Sequence, residues 1–460
     1  MSYFFISAAH KSSGKTTLSI GLTAALRGRG MQVQTFKKGP DYIDSLWLSA
    51  ASGGNCVNLD FFTMDRDEIQ QDFSRGMAGA DIGIIEGNKG LYDGLSLDGS
   101  NSNAALATLL GSPVFLVIDA RGMTRGIAPL ILGYQAFEQD IRIAGIILNK
   151  VGGSRHEDKL CRVIDHYTDV PVVGSVHNSP DLMIDERHLG LMPSNESGEA
   201  YEKIQILGER IAVQTDLDRI LGIAETTPDL PSIKPVNHHF DGERVRIGYP
   251  RDCAFGFYYP GDLEKLAQAG ADLVSFDALN DPHLPAVDGL FIGGGFPEVM
   301  MNELEANTSL RSEIRDFIES GGPAYAECGG LMYLSRKLTW QGETCKMVGA
   351  IPGDIMMYPR PQGRGYVRLR ETGESLWPKI EGSGREIAAH EFHYSALENL
   401  DPDIRFAYQV TRGTGIDGSS DGLIYKNLLA SYTHLRDAGG NHWTQRFVEH
   451  VRACKVLNKQ

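Results

Sequence analysis

The segment that most constrains the fold lies at the N-terminus, where an apolar run leads into a short loop of small and hydroxyl-bearing residues. Residues 9–16 read AHKSSGKT and stand directly after the apolar residues 3–8. The pattern fits a P-loop, although Ala9 replaces the commoner glycine. A P-loop needs a strand before it and a helix after it, because N–H groups at the helix N-terminus surround the phosphates. This order predicts an α/β fold and favours phosphate binding over a turn without function.

The loop and the first helical turn supply the candidate nucleotide-binding residues, which are Ser12, Ser13, Gly14, Lys15, Thr16 and Thr17. In this pattern the amine of Lys15 reaches the outer phosphates of a nucleotide, and the hydroxyl of Thr16 binds Mg²⁺. We therefore expect a nucleotide and Mg²⁺ to bind at this loop.

Short β-branched runs alternate with amphipathic stretches in both halves of the chain. We predict strands at 3–8, 32–36, 82–86, 114–118, 144–149, 245–249, 272–276, 289–292 and 324–326, and helices at 18–27, 125–137, 260–268 and 309–320. Such βα repeats indicate buried parallel sheets. A polar, proline-rich segment separates the two halves. We therefore predict a P-loop domain at 1–225, a linker at 226–243 and a second α/β domain at 244–455.

Composition excludes several classes of partner. The 460-residue chain has a formal net charge of −15, which argues against nucleic acid, because phosphate backbones are bound by basic surfaces. The N-terminus lacks the features of a signal peptide, and no apolar stretch is long enough to span a bilayer, so no membrane partner is expected. The six cysteines lack CxxC spacing, which suggests neither zinc nor disulfides and makes the cytoplasm the default location.

Acidic residues follow two predicted strands, at the edge where a parallel sheet collects its ligands. Asp41 and Asp44 lie in the loop after the second strand, and Glu86 ends the third. Because Mg²⁺ favours oxygen ligands, we expect Thr16, Asp41 and Glu86 to hold the metal. Turn capping is the alternative for the two aspartates. Residues 37–38 are two lysines that are candidates for a substrate carboxylate.

A second reactive centre is predicted at Cys328. Residues 321–331 read GGPAYAECGGL, which indicates a strand, a sharp turn and a helix. A nucleophile on such a turn needs small neighbours, and the N-terminus of the following helix favours a thiolate. A buried inert cysteine is the alternative, which we keep for the other five cysteines.

The partners of this cysteine must come from distant segments. Gly294 and Gly295 follow a predicted strand, and their N–H groups are candidates for an oxyanion hole. His434 follows another strand and is the best candidate for the base, with His390 and His393 as competitors. A cysteine, a glycine loop and a downstream histidine together favour a nucleophile.

The combination of a P-loop half with a Cys–His half resembles the cobyrinic acid a,c-diamide synthases over nearly the whole chain. The segments that carry the resemblance are 38–44 (KGPDYID), 86–87 (EG), 90–94 (GLYDG), 119–122 (DARG), 187–191 (RHLGL), 293–295 (GGG), 326–333 (AECGGLMY) and 390–395 (HEFHYS). So many ordered motifs make the match specific.

The resemblance implies a dethiobiotin-synthetase-like ATP domain followed by a class I, triad-type glutamine amidotransferase domain of the Cys–His subtype. It implies that glutamine donates nitrogen at Cys328 and His434. Channelled ammonia would then reach an acyl phosphate formed by MgATP on a tetrapyrrole polycarboxylate, near Tyr42 and Asp44. Substrates in the family are cobyrinate, hydrogenobyrinate, nickel-sirohydrochlorin and sirohaem, amidated on the a and c acetates.

Two departures from the family pattern concern the identity of the macrocycle. Residues 45–48 (SLWL) stand where many relatives have a proline, and residues 435–437 (LRD) stand where relatives often carry a second histidine. These departures favour the sirohaem-amidating branch. The alternatives are a cobyric-acid-synthase-like enzyme that amidates other carboxylates and a P-loop switch ATPase. The sequence leaves a homodimer open.

Overall fold

The computed structural model describes residues 1–187, 190–195, 198–228, 240–379 and 386–457. The chain divides into two compact units, Met1–Pro235 and Val236–Gln460. The predicted linker at 226–243 lies largely outside the described residues, as does the middle of the RHLGL segment, so the domain limits stay a prediction. Within the described part of the chain, no helix combines the length and the apolar character that crossing a bilayer requires.

The first unit contains strands and helices that alternate along the chain. Its strands are β1 Ser2–Ala8, β2 Val33–Lys38, β3 Val57–Leu59, β4 Ile82–Glu86, β5 Val114–Asp119, β6 Ile143–Val151, β7 Val172–His177, β8 Glu186–Arg187 and β9 Gly190–Leu191. Its helices are α1 Lys15–Gly28, α2 Ile43–Ser52, α3 Arg66–Gly76, α4 Asn103–Leu110, α5 Ile127–Phe137, α6 Ser154–Tyr167, α7 Ala200–Ala212 and α8 Leu217–Ala224.

Seven of these strands form a parallel sheet in the order β3-β2-β4-β1-β5-β6-β7. β4 and β5 are buried along their whole length, because helices cover both faces of such a sheet. Helices α1 and α7 pack closely, since a Cβ on Gly21 would lie 2.4 Å from Ile211 Cγ1. In this strand order β1, the strand before the P-loop, lies in the middle of the sheet.

The second unit is also α/β but contains more antiparallel structure. Its strands are β10 Val245–Pro250, β11 Phe255–Phe257, β12 Ala271–Phe276, β13 Gly289–Ile292, β14 Gly294–Gly295, β15 Ala324–Glu327, β16 Lys337–Trp340, β17 Glu343–Lys346, β18 Asp354–Met357, β19 Gly363–Glu371, β20 Ile387–His393, β21 Ser395–Glu398, β22 Arg405–Arg412, β23 Ser420–Tyr425 and β24 Leu428–Ser431. Its helices are α9 Pro260–Gln268, α10 Met301–Ala306, α11 Thr308–Glu319, α12 Gly329–Leu334 and α13 Trp443–Leu457.

A nine-stranded sheet organises this unit, in the order β12-β10-β13-β15-β24-β23-β22-β19-β20. Its first five strands are parallel, and the remaining pairings are antiparallel. Leu290 and Ile292 join one apolar core while Phe291 joins another. Because successive side chains of a strand point to opposite faces, the two cores lie on opposite sides of the sheet.

The predicted α/β class and the parallel cores of both units are confirmed. Most predicted strand ends lie within one or two residues of the observed ones, and the predicted 260–268 helix matches α9 in full. Helix α1 begins earlier than predicted, directly after Gly14, which has a left-handed conformation. The antiparallel strands β19, β20, β22 and β23 were not predicted. In β19 polar and apolar residues alternate, as the burial of its residues also does, and this pattern is weaker than the apolar runs of buried parallel strands.

Candidate active sites

The P-loop is held by a left-handed turn and by a contact from a distant strand. Ser12 and Gly14 have φ angles of 64° and 85°. The amide of Asn149 donates a hydrogen bond of 2.8 Å to the carbonyl of Ser13. A Cβ on Gly14 would lie 2.2 Å from Asn149 Nδ2. Position 14 therefore requires glycine both for its backbone conformation and for the approach of Asn149.

A buried cluster of charged groups lies beside the first turn of α1. Thr16 Oγ1 donates to Glu86 Oε1 at 2.7 Å and to Asp44 Oδ2 at 3.2 Å. Lys37 Nζ donates to Asp44 Oδ2 at 2.5 Å and to Glu86 Oε1 at 2.8 Å. Asp41 Oδ1 accepts from the Asp44 backbone N–H at 2.9 Å. The structure thus brings the predicted acids together, with Asp44 on the Thr16 hydroxyl and Asp41 capping the turn.

The ionisation of this cluster reflects burial and mutual interaction. Burial opposes the charge of Lys37, but Asp44 and Glu86 outweigh it and raise the pKa of the amine. Burial raises the pKa of Glu86. Burial, followed by the charge of Asp44, raises the pKa of Asp41 to about 7. Lys37 is therefore a counter-ion inside the protein and not the surface lysine expected for a substrate carboxylate.

The protonation of the Lys15 amine depends on its surroundings. Its Nζ donates to the carbonyl of Lys89 at 2.6 Å. Burial, followed by the charge of Lys37, lowers the pKa of Lys15 to about 8. A bound phosphate would replace the neutral carbonyl as partner and would favour the charged amine.

The donor atoms of the cluster suit a magnesium ion. Glu86 Oε2 is buried and has no hydrogen-bond partner, and the neighbouring groups offer oxygen, the donor that Mg²⁺ prefers. Among the residues that the structure describes, no group of three or more His, Cys, Asp or Glu side chains is arranged as a metal cage. An ion here would complete its coordination with water and nucleotide oxygens, as Mg²⁺ commonly does.

A second network of ion pairs lies at the end of β5, and one of its members, Lys150, was not predicted from the sequence. Arg121 donates a bidentate pair of hydrogen bonds to Asp119, from Nε to Oδ1 at 3.0 Å and from Nη2 to Oδ2 at 2.7 Å. Lys150 Nζ bridges Asp119 Oδ2 at 3.3 Å and the carbonyl of Ser12 at 2.9 Å. Burial opposes ionisation of Asp119, but Arg121 and Lys150 outweigh it and lower its pKa to about 2. Lys150, near the C-terminal end of β6, thus ties this network to the P-loop, and its position directly after the predicted strand 144–149 was the available signal.

In the second unit, Cys328 stands on the predicted sharp turn between β15 and α12. Its φ of 47° and ψ of −101° are unusual for a residue with a side chain. The Cys328 N–H donates to the carbonyl of Ser431 at 2.7 Å. A Cβ on Gly330 would lie 2.1 Å from the Ile292 carbonyl oxygen. The small residues after Cys328 are therefore required by close approach of the neighbouring strand.

The predicted glycine loop links this elbow to the predicted base. A Cβ on Gly329 would lie 2.9 Å from Gly295 N, and a Cβ on Gly294 would lie 2.5 Å from His434 Cε1. The loop of Gly294 and Gly295 is thus packed between Gly329, the residue after Cys328, and the imidazole of His434. The structure therefore places the turn at Cys328, the predicted glycine loop and the predicted base next to one another.

The two competing histidines occupy other positions. The His390 ring stacks on His434 at 4.8 Å, and burial, followed by His434, keeps the pKa of His390 well below its usual value. His393 stacks on Tyr432 at 3.9 Å and its Nδ1 donates to the carbonyl of Ser395 at 2.8 Å. His434 is therefore the histidine that packs against the glycine loop.

Burial of Cys328 opposes ionisation of its thiol. Burial, followed by the charge of Glu298, raises its pKa, and a hydrogen bond from the Gly329 N–H opposes the shift only in part. We expected the helix N-terminus to favour the thiolate, but the loss of hydration outweighs it. Proton removal by a base is consequently needed before the sulfur can attack.

Sequence reasoning also missed Glu327, the residue before Cys328. Its Oε1 accepts from the Tyr325 hydroxyl at 2.5 Å and from the Leu435 N–H at 2.8 Å. Its Oε2 lies 3.5 Å from His434 Nδ1. A charged residue at the end of an apolar strand was the signal for it.

Comparison with known proteins identifies a family for each of the two units. Residues 5–191 match the CobQ/CobB/MinD/ParA nucleotide binding domain, and residues 246–441 match the CobB/CobQ-like glutamine amidotransferase domain. Curated relatives named cobyrinate a,c-diamide synthase occur in Magnetococcus marinus (47% identity, covering 95% of both chains), Methanosarcina acetivorans (42%, covering 94% of this chain and 91% of the relative) and Archaeoglobus fulgidus (40%, covering 95% and 94%).

A nucleotide-binding unit joined to a glutamine amidotransferase unit defines a glutamine-dependent amidotransferase, a ligase that forms C–N bonds. The chain belongs to the cobyrinate a,c-diamide synthase family. The individual site residues, including Thr16, Asp41, Tyr42 and His434, stay predictions that need mutagenesis.

Replacing Lys37 tests the buried cluster. Lys37→Met should lower the free energy of unfolding by about 3–5 kcal/mol, because the carboxylates of Asp44 and Glu86 would remain buried without their counter-ion. Denaturant unfolding monitored by circular dichroism measures the change. The matched control is Arg29→Met, which removes the exposed pair with Asp218 and should change stability by less than about 1 kcal/mol. Equal effects would contradict the proposed electrostatic role of Lys37.

Proposed function

We propose that this protein uses MgATP and glutamine to convert the a and c acetate carboxylates of a cobyrinate-type tetrapyrrole into carboxamides. The observation that carries the proposal is the packing of the Gly294–Gly295 loop between the Cys328 elbow and His434. The names of the relatives support the substrate, since the three relatives described above are called cobyrinate a,c-diamide synthases. Sirohaem stays a prediction from the two departures in the sequence.

Glutamine is cleaved in the second unit. His434 takes the proton of Cys328, and the sulfur attacks the side-chain amide carbon of glutamine. Backbone N–H groups of Gly294 and Gly295 stabilise the oxyanion of the tetrahedral intermediate. Ammonia leaves with a proton from His434, and water then hydrolyses the glutamyl thioester.

The carboxylate is activated in the first unit. A substrate carboxylate oxygen attacks the γ-phosphorus of ATP, so that ADP leaves and an acyl phosphate forms. Lys15 and the N–H groups of the P-loop hold the phosphates and offset their charge. Mg²⁺, held by Thr16 and Glu86 with Asp41 or Asp44, would supply further charge neutralisation when bound. Ammonia then attacks the acyl carbon and phosphate leaves. Activation as an acyl phosphate is necessary because a free carboxylate is a poor electrophile.

The substrate can be identified by product analysis. The enzyme is incubated with MgATP, glutamine and, in separate reactions, cobyrinate, hydrogenobyrinate and sirohaem. Two parallel sets use ordinary glutamine and glutamine labelled with heavy nitrogen in the side-chain amide, so that product masses differ by one unit per amide formed. Two amides on the a and c acetates of cobyrinate support the proposal. Amides on other carboxylates would favour the cobyric-acid-synthase-like alternative, and ATP hydrolysis without amides would favour a switch ATPase.

Replacing the nucleophile separates the two reactions. Cys328→Ser should lower glutamine-dependent amidation by more than about 10³-fold, because the less acidic hydroxyl is a weaker nucleophile. Amidation with added ammonium chloride should be unchanged, since ammonia bypasses the second unit. The matched control is Cys345→Ser, whose thiol is buried and donates to Asn302 Oδ1, a bond that serine can keep. Equal loss of both reactions in folded Cys328→Ser would refute two separate centres.

The pH dependence of nucleotide binding tests Lys15. Its pKa of about 8 in the free protein means that the amine is charged below pH 8 and neutral above it. Because bound phosphates favour the charged amine, the affinity for ATP without metal should fall above pH 8, by up to about tenfold per pH unit. Titration calorimetry in EDTA at several pH values measures this.

Lys15→Arg is the control for that experiment. Its side chain keeps its charge across the whole range, so the affinity should become independent of pH above 8. A pH dependence that persists in this variant would assign the effect to another group, such as Lys38, whose pKa burial also lowers to about 8, and would contradict the role given to Lys15.

A further inference from the structure

We propose that Glu327 is the positioning residue of the glutaminase centre, which holds the imidazole of His434 in the orientation and tautomer that Cys328 requires. The inference rests on the proposed function. It assigns to a buried carboxylate, directly before the nucleophile in sequence, the task of stabilising the base. The mechanism above uses Cys328, His434 and the glycine loop, and leaves this carboxylate without a role.

The two oxygens of Glu327 have different partners. Oε1 is fixed by the Tyr325 hydroxyl at 2.5 Å and by the Leu435 N–H at 2.8 Å. Oε2 lies 3.5 Å from His434 Nδ1. The side chain of Glu327 is only 3% exposed, so water does not screen the pair. One oxygen therefore anchors the carboxylate to the backbone next to His434, and the other is directed at the imidazole.

This arrangement determines which nitrogen of His434 can act. A carboxylate beside Nδ1 keeps a proton on that nitrogen, and the lone pair is then on Nε2. Nε2 is the atom left to accept the thiol proton, after which the imidazolium is stabilised by the adjacent negative charge. The distance of 3.5 Å is longer than a hydrogen bond, as is common before substrate binds, when catalytic hydrogen bonds tighten.

Other charged groups around His434 are engaged differently. The His390 ring stacks face to face on His434 and offers no negative charge. The guanidinium of Arg436 stacks over the Tyr259 ring at 4.8 Å. Asp437, the acid that follows His434 in the chain, accepts from Thr444 N at 3.0 Å and pairs with Lys265 at 3.1 Å. The acid nearest in sequence is thus committed elsewhere, and the acid beside the base comes from β15.

A purely structural role is the rival explanation, since Glu327 also fastens the Leu435 backbone. A second rival is a direct effect of its charge on the thiol, because the Glu327 carboxylate helps to raise the pKa of Cys328. The three explanations predict different effects on thiol reactivity. If Glu327 positions His434, removal of its charge should slow the reaction of the Cys328 thiol. If the charge acts directly on the thiol, its removal should speed that reaction. A purely structural role predicts no specific change.

The test is alkylation of Cys328 by iodoacetamide as a function of pH, in the full chain with Glu327→Gln. Glutamine keeps the shape and can still accept from Tyr325 and Leu435, but it lacks the charge. We expect the rate at pH 7 to fall at least about tenfold and the midpoint of the pH profile to rise by about one unit. Glutaminase kcat should fall about 10²-fold or more, with KM for glutamine changed less than about twofold.

Two further variants separate the explanations. Tyr325→Phe removes a hydroxyl from Oε1 but keeps the charge, and should lower kcat less than about fivefold. In a His434→Ala background, Glu327→Gln should have no further effect on kcat, because residues that act as a unit are not additive. Faster alkylation of Cys328 in Glu327→Gln would overturn the proposal. An unchanged midpoint of the pH profile together with reduced thermal stability would overturn it as well.

The alkylation assay needs neither glutamine nor tetrapyrrole, so it can fail or succeed independently of the proposed substrate. Ammonia-dependent amidation by Glu327→Gln should match that of the unmodified protein, since that reaction uses the other unit. A loss of ammonia-dependent amidation equal to the loss of glutaminase kcat would show a general folding defect, and the positioning role would be rejected.

Discussion

Parallel strand packing determines where both reactive centres form, because the strands end at a common edge and bring the residues that follow them side by side. In the first unit this edge collects the P-loop after β1, Glu86 at the end of β4 and Asp119 at the end of β5. In the second unit β13, β15 and β24 are neighbours, and the residues that follow them include Gly294, Cys328 and His434. Each centre is thus assembled from residues that are distant in sequence.

Both centres bury charges that would be costly if they were isolated. Lys37 forms ion pairs with Asp44 and Glu86 in the first unit, while Glu327 lies beside His434 in the second. These pairs have little solvent around them, so their energies depend on geometry more than on ionic strength.

Several parts of the sites could be predicted from the sequence because their signals are local. The residues 9–16 can be recognised without knowledge of the rest of the chain, and so can the elbow at Cys328, since each motif requires its own backbone turn. The antiparallel strands were missed because their apolar pattern is diluted. β19 and β22 mix exposed and buried residues, and β20 and β23 carry polar residues among their buried ones. Glu327 and Lys150 were missed because a charge at the end of a strand does not reveal its partner. Their roles depend on which residue lies opposite.

The sequence by itself determined the class of fold, the P-loop motif, the sharp turn at Cys328 and the family, since these depend on local conformation and on the order of motifs. Only the tertiary structure decided that Asp44 contacts Thr16, that Lys37 is buried between acids and that Glu327 faces His434. Strand register and packing bring these groups within a few ångströms although up to about a hundred residues separate them. Distances of that kind are set by the whole fold, and no short segment contains them.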